Sequence, residues 1–463
     1  MPLTIPPLSP QLDEPVYKTL ANSIKQLASQ LPPHTQLPSI RQIARDIGLS
    51  PATVVAALDV ATEAGVIYKR RGSGCYIAPR PSVKQAPLDD EYLPRELPPD
   101  RIDFTLGTPS PEYFPVEDFK AAFNYVLDRD RGHAFSYPEP IGYLPLRLTI
   151  ANQLDALRVT TEPGTIQITA GAQQAIALVA QTLVQPGDAV CIENPTYPGA
   201  VQVMQQLGAK LIPVPVGQHG PRPSDLVNLT RVRPKLFYTI PNFQNPTGGC
   251  YSVAARQRLL ALARELNFYI LEDDHVSELY YTGAKPRTLW QDAPDRVLYV
   301  KSFSKLLMPG LRLGFLVLPP QLLTAVSQAK QTADLGSPGL NQRVLDAYLR
   351  SDKWPEYQAF LRKTYHYRSQ VLQAALQRHL GNAAAYYPLR GGMNAWLSFP
   401  RALDVEQLQQ LCAQQGVLIS PGSEFSVTGT SAKHCIRISI AATFPDKIEA
   451  GVQVLAECAE RLL

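Results

Sequence analysis

Two serines, a lysine and an arginine lie close together within residues 298–317. A lysine amine forms a Schiff base with an aldehyde cofactor, which makes Lys305 a candidate for covalent chemistry. Hydroxyl and guanidinium groups bind phosphate, so Ser302, Ser304 and Arg312 could hold a cofactor that carries one. The same residues would also suit an ordinary solvated loop, and so short a motif does not decide between the two interpretations.

Apolar segments that would position these residues flank them on both sides. Residues 297–300 and 313–317 predict two β-strands, with the polar residues in the loop between them. A strand end, a small-residue turn and an amphipathic helix are predicted over residues 168–176. Other buried strands are predicted at residues 189–192, 237–240, 268–274 and 436–440.

Length and composition predict a soluble, globular protein of two or three domains, since the 463 residues are 45% hydrophobic with a mean hydropathy of −0.11. No apolar run approaches the roughly 20 residues that span a bilayer. The first residues resemble no secretory signal. The six cysteines show neither Cys-x-x-Cys nor metal-ligand spacing. We therefore expect free thiols, a cytoplasmic location and no metal site.

The formal charge of the chain is +4, and all of this excess lies in residues 1–84, which carry nine basic and five acidic residues. The rest of the chain is balanced. Such an asymmetry indicates a polyanionic partner for the N-terminal region alone.

A helix-turn-helix followed by a wing is predicted near the N-terminus. Apolar residues at helical spacing predict a first helix over residues 15–31. Ser39 can cap a short helix that Gly48 ends, and Ser50 can cap another. Residues 65–77 then predict two short strands around a basic, glycine-rich tip.

This region resembles the winged helix-turn-helix of GntR-type regulators, whose Leu-Pro-Ser-x-Arg motif occurs here at residues 37–41. In that family the second helix enters the major groove of DNA and the wing contacts the backbone or minor groove. The family usually has Ser-Arg where this chain has Ser50-Pro51, so one DNA contact is expected to be missing. The resemblance implies DNA contacts, mostly to phosphates, from Arg41, Ser50, Thr53, Lys69, Arg70, Arg71 and Gly72.

From residue 102 onward, the segments resemble those of fold-type I pyridoxal 5′-phosphate enzymes, the aminotransferases, and occur in that family's order. The resemblance implies an α/β body with a large mixed sheet flanked by helices, a small α+β C-terminal domain, and pyridoxal 5′-phosphate as cofactor. The predicted organisation is a winged helix at residues 1–80, a proline-rich linker at 81–100 and the body at 101–463. Within the body, the large subdomain would span about 130–340 and the small one about 341–463.

The same resemblance assigns roles to individual residues. Lys305, Asp273 and Tyr197 are the implied catalytic residues: the attachment site, the carboxylate that keeps the pyridine nitrogen protonated, and the ring that stacks on the cofactor. Arg437 would bind the substrate carboxylate, and Gly107 would border the substrate. The full set implied to hold the cofactor is Gly171, Ala172, Gln173, Tyr197, Asn245, Asp273, His275, Ser302, Ser304, Lys305, Arg312 and Tyr137.

Two of these assignments carry further implications. In the family the residue matching Tyr137 reaches the cofactor phosphate of a partner subunit, which implies a homodimer. The family also has a tyrosine two or three residues after the catalytic aspartate, whereas this chain has His275 and Val276. His275 would then replace that tyrosine as a hydrogen-bond donor, or would be a histidine that is simply packed.

The combination of a GntR-type head and an aminotransferase-like body resembles the MocR group of GntR-type regulators over nearly the whole chain. The resemblance implies a DNA-binding transcriptional regulator that senses pyridoxal 5′-phosphate or its adduct with an amino acid. A second hypothesis is a working aminotransferase that carries a vestigial DNA-binding head. A third is a protein that stores the cofactor or serves as a scaffold.

Overall fold

The computed structural model describes residues 15–28, 31–70, 72–78, 101–156, 161–429 and 431–463. Arg71 and the predicted linker at 81–100 lie outside them. The chain separates into two compact units, one within residues 1–96 and the other within residues 97–463. No helix in the described ranges has the length and apolar character that crossing a bilayer requires. Within the same ranges no cluster of His, Cys, Asp and Glu side chains could hold a metal ion.

The first unit is a three-helix winged fold. Ser39 accepts a hydrogen bond from the backbone of Gln42 at the start of the second helix, and Gly48 ends that helix with φ +69°. Ser50 caps the third helix through the backbone N–H of Thr53, as predicted. The elements are α1 Val16–Ala28, α2 Ile40–Ile47, α3 Pro51–Glu63, β1 Ile67–Arg70 and β2 Gly74–Ile77, with the two strands antiparallel.

The second unit is built on a seven-stranded mixed sheet with helices around it. Its strands are β4 Ile166–Thr169, β5 Ala189–Asn194, β6 Lys210–Pro215, β7 Leu236–Thr239, β8 Tyr269–Asp274, β9 Val297–Ser302 and β10 Gly314–Val317. They lie in the order β4-β10-β9-β8-β7-β5-β6. Of these seven strands, β10 runs in the direction opposite to the other six. Apart from the edge strand β6, the strands are almost entirely buried, as expected for a largely parallel sheet covered on both faces.

The helices of this unit alternate with the strands and extend into the C-terminal layer. They are α4 Val116–Asp130, α5 Leu144–Asp155, α6 Ala172–Leu183, α7 Pro198–Gln206, α8 Pro223–Val232, α9 Val253–Glu265, α10 Leu323–Asp334, α11 Gly339–Leu349, α12 Lys353–Ala375, α13 Val405–Gln414 and α14 Pro445–Glu460.

The C-terminal layer has a second, four-stranded antiparallel sheet. Its order is β11-β12-β15-β14, from strands β11 Ala385–Tyr386, β12 Asn394–Ser398, β14 Ser420–Pro421 and β15 Cys435–Ser439. A parallel pair, β3 Ile102–Asp103 with β13 Val417–Leu418, ties the start of the unit to this layer. The α/β class, with a large mixed sheet, a small α+β layer and a winged helix-turn-helix ahead of both, is confirmed.

Candidate functional site

Three parallel strands, β7, β8 and β9, end at one edge of the large sheet, and the predicted site residues follow those ends. A cavity of about 460 Å³ opens there, between the strand ends and the C-terminal layer. Six residues predicted from the sequence line it together: Gly107, Tyr197, Asn245, His275, Lys305 and Arg437. Ligand sites outside the carboxyl ends of parallel strands are the general rule for such sheets.

Lys305 has the electrostatic environment of a reactive amine. Burial, together with the positive charge of Arg437, lowers the pKa of Lys305 to about 8, against a smaller opposite effect of Asp273. In a substantial fraction of the molecules the Lys305 amine is therefore neutral, and nucleophilic, near physiological pH. Gly107 approaches the amine so closely that a Cβ atom at that position would lie 3.4 Å from Nζ.

Asp273, at the end of β8, is buried, and only one of its two oxygens is hydrogen-bonded within the described part of the chain. The hydroxyl of Tyr238 donates to its Oδ2 at 2.8 Å, while its Oδ1 has no partner among the described residues. Burial raises the pKa of this carboxyl to about 6, and the Tyr238 hydrogen bond opposes that shift. A cationic N–H donor brought to Oδ1 would satisfy the atom and favour the charged carboxylate.

A phosphate-sized anion would be recognised where α6 begins. Gly171 precedes the helix with φ +90°, and a Cβ atom there would lie 3.3 Å from the Arg312 guanidinium. Arg312 donates to the carbonyl of Ala170 at 2.9 Å. Ser302 is buried at the end of β9, and its hydroxyl accepts the backbone N–H of Ser304 at 3.2 Å. A helix N-terminus, an arginine and serine hydroxyls together suit a phosphate.

Gln173 and Tyr197 support each other beside this helix start. The Tyr197 hydroxyl donates to Gln173 Oε1 at 3.1 Å, and Gln173 Nε2 donates to the Gly199 carbonyl at 3.0 Å. Ala172 is the first residue of α6. The side-chain amide of Gln173 therefore fixes the Tyr197 ring as well as lying near the predicted phosphate position.

Arg437 projects from β15 into the cavity and has capacity for a carboxylate. Its guanidinium donates to Asn245 Oδ1 at 3.3 Å and to the Thr105 carbonyl, and it lies 4.8 Å from the Phe425 ring centroid. Its Nε is buried and has no hydrogen-bond partner in the part of the chain that the structure describes. Burial lowers its pKa to about 10, an effect that Glu424 opposes.

His275 lines the cavity with Lys305 and Asn245. Its Nδ1 is buried, and no described residue forms a hydrogen bond with it. Burial lowers the pKa of His275 to about 3, so the ring is neutral at pH 7, with one nitrogen a donor and the other an acceptor. A cavity-lining ring with an unused polar atom favours the donor interpretation over simple packing.

Tyr137 does not join this group. It is absent from the cavity lining, and 91% of its surface is exposed. Tyr238, whose hydroxyl holds Asp273, was not among the residues predicted from the sequence. A signal was present, because a tyrosine hydroxyl inside a wholly buried strand needs a polar partner.

The predicted DNA-facing residues lie on the surface of the first unit, apart from Arg71, which is outside the described residues. Arg41 and Arg70 are exposed. Lys69 forms an ion pair with Asp59 of α3. The hydroxyls of Ser50 and Thr53 hydrogen-bond each other at 2.8 Å. Gly72 has φ +76° at the wing tip.

Comparisons with known proteins match both units. The family of aminotransferases of class I and II matches residues 101–455, and the bacterial regulatory proteins of the gntR family match residues 12–77. A 2-aminoadipate transaminase of Thermus thermophilus is 35% identical over 82% of this chain and 95% of its own length. The probable rhizopine catabolism regulatory protein MocR of Rhizobium meliloti is 30% identical over 88% of this chain and 87% of its own.

A solved structure shows the same body. The α-aminoadipate aminotransferase LysN of Thermus thermophilus, complexed with N-(5′-phosphopyridoxyl)-L-leucine, superposes with a TM-score of 0.74 at 35% identity. The match covers 80% of this chain and 94% of that one. The phosphopyridoxyl group bound in that structure fits the chemistry of the cavity described above.

Proposed function

Because the chain belongs to the MocR-type regulators, in which a GntR winged helix is joined to an aminotransferase class I and II domain, we propose that it switches its DNA binding in response to the state of its cofactor cavity. The cofactor is pyridoxal 5′-phosphate. The supporting observation is that Lys305, Asn245, His275 and Arg437 line one cavity, and that the charge of the buried Asp273 acts on Lys305.

The polar atoms of the cavity match the functional groups of this cofactor. When bound, pyridoxal 5′-phosphate supplies an aldehyde for amines and a ring that accepts electrons. Lys305 provides the amine for covalent attachment, and the free Oδ1 of Asp273 provides the acceptor for the pyridine N–H. Ser302, Arg312 and the start of α6 hold the phosphate. The Tyr197 ring is fixed by Gln173 to face the pyridine.

Asn245 and His275 are proposed to hold the phenolic oxygen of the cofactor. Both residues line the cavity that contains Lys305. The neutral His275 ring offers an N–H that no carboxylate competes for among the described hydrogen bonds. This assigns to a histidine the donor role that a tyrosine has in the resembling families.

An amino acid is the effector class that the cavity favours. Arg437 offers a buried Nε, unpartnered among the described residues, for the α-carboxylate. Its hydrogen bond to Asn245 holds the Arg437 guanidinium beside the proposed cofactor position. A free Lys305 amine, whose pKa is lowered to about 8, can accept or return a proton near neutral pH. A ligand that changes these contacts favours one arrangement of the protein and thereby changes DNA affinity through linkage.

We further propose a homodimer in the cytoplasm. Tyr137 is an aromatic residue with 91% of its surface exposed, which suits a side chain that completes the site of a second subunit. Mixing a Tyr137→Ala chain with a Lys305→Ala chain would test this, because the heterodimer contains one site with neither substitution. Recovery of cofactor binding is expected in one of the two sites of each heterodimer, which is about a quarter of all sites after random exchange of equal amounts, and no recovery on mixing would refute the shared site.

The experiment that tests the regulatory function is fluorescence anisotropy of the full-length protein on DNA from its own upstream region. We expect binding that exceeds binding to random DNA and that changes when pyridoxal 5′-phosphate and a panel of amino acids are added. Lys305→Ala should bind DNA without the response, whereas Lys363→Ala, at an exposed position of α12, should retain it. Affinity equal to that for random DNA would overturn the proposal.

Transamination is the second candidate function, favoured by the 35% identity to a 2-aminoadipate transaminase and by the presence of both Lys305 and Arg437 in one cavity. The test is production of 2-oxo acids from a panel of amino donors by the purified protein. Turnover without specific DNA binding would make the protein an aminotransferase with an unused head.

A further inference from the structure

The exposed face of α3, the helix that enters the major groove in this fold, carries none of the side chains that form bidentate contacts with bases. Guanine is read by arginine or lysine, and adenine by asparagine or glutamine. The α3 sequence, Pro-Ala-Thr-Val-Val-Ala-Ala-Leu-Asp-Val-Ala-Thr-Glu, contains no residue of these four types. Base recognition by α3 must therefore use another kind of contact.

What the helix presents instead is a small apolar surface. Its buried side, which includes Val54 and Leu58, packs into the core of the unit. Ala52, Val55 and Ala56 lie on the opposite side, at positions three and four apart, and Val55 is 38% exposed. The apolar feature that the major groove displays is the C5-methyl group of thymine, which contacts such side chains.

The polar groups next to this surface are already engaged. Ser50 caps the helix, and its hydroxyl shares a hydrogen bond with that of Thr53 at 2.8 Å. Asp59, one turn beyond Val55, is paired with Lys69 of the wing, so the ion pair presents no net negative charge to the groove. Glu63, the last residue of α3, is exposed about two turns beyond Val55. Within the first two turns of α3, the apolar surface is thus the part left to distinguish one base pair from another.

The occupant of this surface is DNA because of the charges around it. Arg41 and Arg45 lie on exposed positions of α2, and Arg70 is exposed at the end of β1. Such residues hold phosphates and position a protein on the duplex without selecting a sequence. Phosphate contacts from the flanking elements would bring α3 against the base edges.

We infer that α3 recognises its operator through thymine methyl groups, contacted by Ala52, Val55 and Ala56. The inference rests on the proposed DNA-binding function and adds the chemical group of the operator that α3 recognises. It predicts operators with thymines at fixed positions in the segment of major groove that α3 enters. Each contacted methyl should contribute about fourfold in affinity, the effect of burying one apolar carbon.

Replacing thymine by deoxyuridine tests this directly, because it removes the methyl group and keeps the base pair. Duplexes would first be selected from a random-sequence library by the full-length protein in the presence of pyridoxal 5′-phosphate. Each thymine of the selected site would then be replaced in turn and the affinity measured by anisotropy. We expect a loss of about fourfold at each contacted position and no loss elsewhere.

A protein variant ties the effect to the helix. Val55→Ala shortens an exposed side chain and raises helix propensity, so it leaves the fold intact. It should weaken binding to the thymine duplex and leave the deoxyuridine duplex nearly unchanged, a coupling that a double-mutant cycle measures. Val227→Ala, at an exposed valine of α8, is the matched control and should preserve the full thymine preference.

The outcomes separate two kinds of failure. Selected sites that bind equally well with deoxyuridine, or that are defined by G·C pairs contacted through the major groove, overturn the methyl inference and leave a DNA-binding protein. Failure to select any sequence over random DNA overturns the proposed regulatory function itself.

Discussion

Two lysines four residues apart have opposite surroundings, and the contrast explains how this fold makes one of them reactive. Lys301, in β9, is buried with its amine 3.2 Å from Asp274 and in contact with Glu278. Lys305, in the following loop, borders the cavity, and the charge with the largest effect on its pKa is the positive Arg437. The first is a paired structural cation, and the second has its pKa lowered to about 8.

The two neighbouring aspartates of β8 show the same division. Successive residues of a strand point to opposite faces, so Asp273 and Asp274 lie in different environments. Burial raises the pKa of Asp273 to about 6. Burial acts in the same direction on Asp274, but the charges of Lys301 and Lys285 outweigh it and hold the pKa of that carboxyl below its usual range.

The sheet therefore separates satisfied charges from unsatisfied ones within a few residues. On one face, Asp274 also accepts hydrogen bonds from the hydroxyls of Ser277 and Tyr299, both at 2.6 Å. On the other face, Asp273 keeps one oxygen free and Lys305 has no carboxylate partner among the described residues. The first arrangement stabilises the fold, and the second leaves polar atoms for a ligand.

The largest effect should come from removing Lys301. Lys301→Met would leave the buried Asp274 without its ion-pair partner and Glu278 with Lys285 alone, and we expect the free energy of unfolding to fall by about 3–5 kcal/mol. Urea unfolding of the apo protein, followed by tryptophan fluorescence, measures this.

Lys305→Met is the matched variant at the other lysine. It replaces an unpaired, desolvated amine by an apolar side chain of similar length, so the stability of the apo protein should be retained or slightly increased while covalent cofactor attachment is abolished. Equal destabilisation by both substitutions would show that the two lysines do not differ as their surroundings indicate.

Asp273→Asn should separate cofactor affinity from stability. The variant loses the charged acceptor for the pyridine N–H, a bond of about 1.5–3 kcal/mol, so the affinity for pyridoxal 5′-phosphate should fall about 10- to 100-fold. The apo protein should be no less stable, because a buried carboxylate with one free oxygen is removed. Fluorescence titration with the cofactor measures the affinity, and unchanged binding would remove Asp273 from its assigned role.

Cofactor attachment should also depend on pH through Lys305. The amine must be neutral to attack, so the rate of attachment should rise about tenfold per pH unit at low pH and level off above about pH 8, rather than near the usual lysine value of about 10.4. Stopped-flow mixing of apo protein with the cofactor measures this rate.

Two comparisons sharpen the pH experiment. A free alkylamine, run in parallel, corrects for ionisation of the cofactor itself. Arg437→Met removes the positive charge that lowers the pKa of Lys305, so its profile should level off at higher pH. A midpoint near 10 in the unchanged protein would contradict the proposed environment of Lys305.

Residues that occupy or follow a single strand could be predicted from the sequence, whereas their partners from distant parts of the chain could not. Lys305, Asp273, Asn245 and Arg437 could be located because each follows or occupies a short apolar strand, and their order matches a known family. The prediction that Ser39, Gly48 and Ser50 mark helix ends was confirmed, because caps depend on local backbone chemistry.

The partners that come from distant parts of the chain could not be predicted. Tyr238 reaches Asp273 only because β7 and β8 are neighbours in the sheet. The pairing of Lys301 with Glu278 depends on how the segment after β8 folds back against β9. That segment has no hydrophobic periodicity from which its path could be predicted. The pair of Lys69 with Asp59 similarly depends on the position of the wing beside α3.

The smallest predicted effect concerns His275, which follows the two aspartates and lies on the cavity side. If its ring donates to the phenolic oxygen of the cofactor, His275→Phe removes one neutral hydrogen bond of about 1 kcal/mol and weakens cofactor binding about fivefold. It should also raise the pH at which the absorbance of the bound cofactor changes, because the donor stabilises the ionised oxygen. His275→Tyr is the matched variant, since it differs from His275→Phe by a single hydroxyl that restores the donor. If His275 only fills space, His275→Phe and His275→Tyr should weaken cofactor binding equally. Recovery of binding in His275→Tyr alone would establish that the unpaired nitrogen of His275 contacts the cofactor.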